Sequence, residues 1–148
     1  MVVSRSLAYA IQSLIQLADT DCRKPVSCRV LANHGSLPER FLLQILRKLV
    51  GHGVLKSVRG VEGGYLLARS ADSITLLDLY EALDSPIVPS VPPLPAVDPY
   101  THTKLHETML RAADLVNHEL SQVSLSDLID SRPVGIEGQL CLPVWDTA

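Results

Sequence analysis

Between residues 38 and 69 the hydrophobic pattern changes period within one short stretch, and few folds accommodate that change. Leu42, Ile45, Leu46 and Leu49 recur three and four positions apart, the spacing of one buried face of a helix. Gly51 and Gly53 end that pattern, and the segments Val54 to Arg59 and Tyr65 to Arg69 read as two short strands. Gly60, Gly63 and Gly64 lie between them and permit the tight reversal of a hairpin and close approach to another surface. A helix running straight into an isolated hairpin must share its core with helices supplied from elsewhere in the chain.

The upstream sequence supplies them. Leu7, Ala10, Ile11, Leu14, Ile15 and Ala18 mark a first amphipathic helix over about 5–19. Pro25 and Ser27 introduce a short second helix over about 27–33, with Ser27 as N-cap. HGSLPER then reads as a tight turn in which Gly35 supplies backbone freedom, and Pro38 suits the first turn of a third helix over about 38–51, with Ser36 or Leu37 before it. Helix, short helix, turn, helix and hairpin is the order of a winged helix-turn-helix. ITLLDLYEAL, with Thr75 as N-cap, forms a fourth helix over about 74–83. The expected fold class is mainly α with a small β-hairpin wing and a long C-terminal helix.

Beyond that unit, assigned to residues 1–84, the segment from Ser85 to Pro99 holds six prolines in fifteen residues and reads as a semi-rigid connector, assigned to 85–100. A docking ligand for aromatic-lined grooves is the alternative for such a stretch. A long helix follows over about 101–121, with Leu105, Met109, Ala112, Ala113, Val116 and Leu120 along one side and Leu110 and Leu115 off that stripe. Apolar residues on more than one face call for more than one partner. A second copy of the chain is the expected one, giving a dimerisation region of 101–131 that includes a further turn at 124–129, and the chain folding back on itself is the alternative. The tail of 132–148, with Trp145, reads as irregular.

Charge sharpens this division. Residues 1–69 carry ten Arg or Lys against four acids, a balance of +6, whereas residues 70–148 carry three against twelve, a balance of −9. A basic working surface in front of an acidic rear follows. With 148 residues the chain suffices for one ordinary core plus an appendage. Every apolar run is broken well short of the roughly 20 residues of a membrane span, and the start reads as an amphipathic helix with no cleavage-like segment after it. Three cysteines, Cys22, Cys28 and Cys141, are an odd number without an export signal, which suits a reducing cytoplasm. No nucleophile, base and orienting group share a recognisable catalytic motif, so an enzyme is not expected. The glycine-rich loop lacks a following helix and the Lys-Ser/Thr of a phosphate-binding loop.

The stretch PERFLLQILRKLVGHGVLKSVRGVEGGYLLAR, with Leu42, Gln44, Ile45, Leu46, Leu49, Gly53, Ser57, Val58, Arg59, Gly60, Gly63, Gly64, Tyr65 and Leu67, resembles the Rrf2-type transcriptional regulators. Tyr9, Ala10, Leu14, Leu17 and Ala18, and then Ile74, Thr75 and Leu76, extend the likeness to about residues 5–84; the rest matches in layout. The resemblance implies a homodimer on double-stranded DNA, with the third helix in the major groove, the wing at the minor groove and the long helix crossing to the second subunit.

A helical wheel sets Arg40, Gln44 and Arg47 opposite the apolar face of the third helix, where Arg suits guanine edges, Gln suits adenine, and either can hold a phosphate. Arg59 in the wing suits a narrow minor groove, and Lys56 and Ser57 suit phosphates. Leu43 stands where the family commonly carries an acid; it borders the exposed face, where a thymine methyl is a fitting contact. Leu105, Met109, Ala112, Val116 and Leu120 are the expected dimer contacts, and repression is the expected sense of regulation. A solvated charged face, on an adaptor that has kept the fold without binding DNA, is the alternative.

Many members of the family bind an iron-sulfur cluster through three cysteines between the fourth helix and the long helix. Here Ser85 to Thr101 contains none, and Ala8 stands where some relatives place an acidic ligand, so no cofactor is expected. His102 and His106, four residues apart, are ordinary surface residues or a weak metal candidate. Cys28, near Arg23, Lys24 and Arg29, is a candidate low-pKa thiol of a redox-sensing regulator, with Cys22 as resolving partner, or else a small buried apolar residue.

Overall fold

Amphipathic periodicity and local capping account for most of the elements of the computed structural model, which describes residues 3–19, 24–84 and 91–130. Helix α1 (Arg5–Asp19) turns Leu7, Ala10, Leu14 and Leu17 inward, and Ser4 Oγ accepts from the Leu7 N–H at 3.1 Å to start it. Helix α2 (Cys28–Gly35) is capped by Ser27, whose Oγ accepts from the Val30 N–H at 3.3 Å. Helix α3 (Glu39–Gly51) has Pro38 at its N-cap, with no side-chain cap. The fixed φ of proline, −64° here, starts the helix instead.

The turn between α2 and α3 differs from the sequence expectation. The left-handed residue is Ser36, at φ 51°, and Gly35 is the last residue of α2. Gly35 is buried, and a Cβ there would come within 2.9 Å of the Gln12 amide and the Leu37 side chain. Close packing of α2 on α1 and on the turn, not backbone freedom, therefore favours the glycine.

After α3 the chain reverses through strands β1 (Leu55–Val58) and β2 (Gly64–Leu67), antiparallel with Leu55 opposite Leu67 and Ser57 opposite Tyr65. Val26, just ahead of α2, joins this ribbon as an isolated bridge to Tyr65, with N–H to O distances of 3.0 and 2.8 Å in the two directions. That pairing explains Gly64, where a Cβ would collide with the Val26 carbonyl oxygen. A 3₁₀ turn at Ala71–Ser73 leads to helix α4 (Leu76–Leu83), which begins with a reciprocal capping box. The Asp78 N–H donates to Thr75 Oγ1 at 3.2 Å, and the Thr75 N–H donates to Asp78 Oδ2 at 2.8 Å.

Residues 91–98 form no helix or strand. Helix α5 (Pro99–Gln122) starts two residues earlier than the sequence suggests because Asp98 caps it, accepting from the Thr101 N–H at 3.0 Å. The chain then comes back to its own start. Ser124 bridges Thr75, the Leu76 N–H reaches the Val123 carbonyl at 2.9 Å, and the Leu125 N–H reaches the Ile74 carbonyl at 2.7 Å. Helix α6 (Leu125–Asp130) is thereby docked on the 3₁₀ turn and α1, with Leu125 only 1% exposed. The sequence groups 124–129 with the dimerisation helix; in the structure Leu125 lies in the core of its own chain and Ile129 packs against it. Leu14, Leu42, Leu46, Leu49, Val54, Ile74 and Leu79 form the centre of that core, each worth about 1.5–3 kcal/mol of apolar burial. Cys22 and the whole expected tail, with Cys141 and Trp145, lie outside the described residues, as do positions 85–90 of the connector.

Candidate nucleic-acid interface

Burial of Leu42, Ile45, Leu46 and Leu49 fixes the rotation of α3, and that rotation decides which side chains face outward. Arg40, Gln44 and Arg47 are exposed, as the wheel requires, and Leu43 is half-buried at the border. Phe41, also exposed in part, stacks edge-on against Tyr9 of α1 with ring centroids 5.8 Å apart, bracing the start of α3. Lys48 shares the exposed side. Its ammonium is not idle, since Nζ donates to the Leu83 carbonyl at the end of α4 at 3.1 Å.

The hairpin supplies a second exposed set. Lys56, Ser57 and Arg59 all face solvent, and the tip closes through a bond of 3.0 Å from the Gly63 N–H to the Gly60 carbonyl. Gly60 adopts φ 123°, which a side chain would strain. Val61 at the tip is fully exposed. Among the described residues, then, Arg40, Arg47, Lys56 and Arg59 lie on α3 and the wing and form no ion pair, whereas Arg69, at the wing's end, pairs with Asp78 at 3.2 Å.

Three elements meet at the wing's base. The Cys28 thiol points to the Glu39 carbonyl oxygen, Sγ to O 3.7 Å, linking the starts of α2 and α3. Burial, and then the negative charge of Glu39, push this thiol up from its ordinary range. That is the reverse of the lowering expected from its basic sequence neighbours, because burial dominates and the charge that acts on the thiol comes from Glu39 of α3. Tyr65 is likewise pushed up, by burial first and by Cys28, against a lowering from Arg47. Val26, Tyr65 and Lys48 have no sequence signal for these roles, since each acts on a partner distant in the chain.

The family model described as an iron-dependent transcriptional regulator, Rrf2, matches residues 3–131. The chain belongs to the Rrf2 family. It is a DNA-binding transcriptional regulator with a winged helix-turn-helix. Among its relatives is CymR of Bacillus subtilis, 33% identical over 128 residues, which span 86% of this chain and 89% of the relative. The solved structure of that protein, the global cysteine regulator of B. subtilis, matches with a TM-score of 0.70 at 30% identity over 90% of this chain and 99% of that one. A regulator structure from Listeria innocua matches with a TM-score of 0.71 at 28% identity over 95% of each chain. IscR from T. potens matches at 0.67 and 25% identity over 94% of this chain and 93% of that one.

The family description names iron, and the donors of this Rrf2 chain bear on whether it is held here. Residues 85–98, between α4 and α5, contain neither cysteine nor histidine. Their one acid is Asp98, whose carboxylate is engaged by the Thr101 N–H at 3.0 Å and the Thr101 hydroxyl at 2.6 Å. Those bonds hold its carboxyl below the usual range. Such a donor set does not fit a thiolate-bound cluster. Among the described residues no three His, Cys, Asp or Glu side chains gather at metal-ligating distance.

Proposed function

We propose that the chain acts as a homodimer that reads an approximately palindromic operator, with α3 in the major groove and the wing at the minor groove, and that it represses by occupying that site. The observation that carries this reading is the outward set of Arg40, Gln44 and Arg47 above a fully packed apolar face, with Lys56, Ser57 and Arg59 exposed on the adjoining hairpin. Guanidinium and amide groups so placed match base edges and phosphates, and the wing's fixed charge suits the deep negative potential of a narrow minor groove.

Pairing of copies is supported by α5. Only Ala113 of its 24 residues is buried, while Leu105, Met109, Leu110 and Leu115 are exposed, and Leu115, Val116, Glu119 and Leu120 line a shallow apolar groove. Ala112 is exposed, and Val116 and Leu120 are half-buried. Two linked copies raise the effective concentration of the second reading helix, which one copy alone lacks. Operator binding in this reading requires no iron, on the ground of the donor set above.

Selection of duplexes from a random library by the reduced, purified protein tests the reading. Enrichment of a two-fold symmetric sequence, with affinity falling steeply as salt rises, is the expected result. Failure to enrich any sequence rejects it.

A further inference from the structure

The end of α4 is where the chain departs for the proline-rich connector, and two separate elements grip it there. From α3, Lys48 Nζ donates to the Leu83 carbonyl oxygen at 3.1 Å. From the start of α1, Ser4 Oγ donates to Asp84 Oδ2 at 3.0 Å. The last carbonyls of a helix lack intrahelical partners and carry the negative end of its dipole, so an ammonium placed there satisfies an orphan acceptor and a favourable charge together. Leu83 is itself buried in the core, so this anchor is fixed.

Lys48 follows Arg47 directly and shares the exposed side of α3, which by position alone makes it a phosphate contact. Its bond says otherwise. We propose that Lys48 is a positioning residue: added to the packed apolar face that fixes the rotation of α3, its bond locks the helix against the end of α4 and so steadies the direction in which Arg40, Gln44 and Arg47 point. This rests on the reading of α3 as the DNA-reading helix. The same bond ties the reading helix to the end of α4, 35 residues away in sequence.

The test uses the full chain and a duplex selected from a random library by the wild-type protein, with an unrelated duplex as control, both titrated over a range of salt. Lys48→Ala is expected to weaken binding to the selected duplex by roughly tenfold, with the slope of log affinity against log salt unchanged and binding to the control duplex unaltered. Lys48→Arg, which keeps a donor able to reach the carbonyl, is expected to restore most of the loss. Lys48→Met retains the packed alkyl stem, and is the variant to titrate if Lys48→Ala does not fold; the same pattern is expected of it. A slope shallower by about one, with equal loss on both duplexes, marks a phosphate contact and overturns the proposal. Unchanged affinity in the Ala and Met variants overturns it as well. A wild type that enriches no duplex overturns the reading of α3 and this inference with it, whereas wild-type enrichment with unaffected Lys48 variants overturns this inference alone.

Discussion

Arg59 leaves β1 one position before Gly60, whose φ of 123° turns the chain into the wing tip, and its side chain is exposed. Nothing in the core depends on it. Arg59→Ala is therefore expected to leave thermal stability unchanged, within about 0.5 kcal/mol, while costing about 1–3 kcal/mol of specific DNA binding. Titration on a selected duplex and a melting curve check both halves; unchanged affinity at moderate salt rejects the wing as a reader. Cys28 shows the opposite relation between sequence and surroundings. Its basic sequence neighbours suggest a thiolate, but burial and Glu39 raise the thiol, so less thiolate is present at neutral pH. In a chain carrying Cys22→Ser and Cys141→Ser, Cys28 is expected to react with a thiol reagent at pH 7 more slowly than free cysteine does. Faster reaction would return the redox-sensing role to consideration.

Capping at the scale of elements joins residues three apart, a local signal that the sequence reading takes up at two helices and misses at Asp98. Ser27 and Thr75 are read directly as N-caps and occupy those positions. Burial pushes the Asp78 carboxyl up, but hydrogen bonds from the Thr75 N–H, Arg69 and the Thr75 hydroxyl outweigh it and leave the group below its ordinary range. A carboxylate lowered by folding stabilises the fold above its unfolded pKa, and that contribution is lost as pH falls through the folded value. Asp78→Asn is expected to cost about 1 kcal/mol at pH 7, with the gap to wild type closing on acidification below about pH 4. Denaturant unfolding at several pH values measures this, and a gap independent of pH rejects it. Contacts between elements carry no such local signal. The Val26 to Tyr65 bridge and the Ser124 to Thr75 bridge join segments about 40 and 50 residues apart, and neither could be found by spacing.

For the whole molecule, α5 contacts α4 and is tied to the core just after its end, yet is covered by little of its own chain. If the chain pairs as proposed, Met109→Glu together with Val116→Glu is expected to yield a monomer and to weaken operator binding by at least tenfold, since each copy then binds alone. Light scattering and DNA titration read the two effects. A persistent dimer places the interface elsewhere, and a monomer that binds as tightly as the parent rejects dimeric recognition. The purified protein is further expected to be colourless and to bind its operator after treatment with an iron chelator. Stoichiometric iron and sulfide with a visible absorption band after anaerobic preparation would reverse that assignment and make His102 and His106 the first ligands to replace.

Sequence alone determined what depends on neighbours within a turn or two: the periodic faces of α1, α3 and α4, the Ser27 and Thr75 caps, the glycine-rich reversal, and hence the outward set of Arg40, Gln44 and Arg47. Helical geometry makes those assignments nearly independent of the rest of the chain. Tertiary structure decided the rest. It moved the left-handed turn from Gly35 to Ser36, brought Glu39 rather than the basic neighbours to bear on Cys28, joined Lys48 to Leu83, and returned Leu125 to the core. Each of these depends on where a distant segment packs. Its energy enters only once the intervening chain has been ordered, and no local pattern of residues encodes that placement.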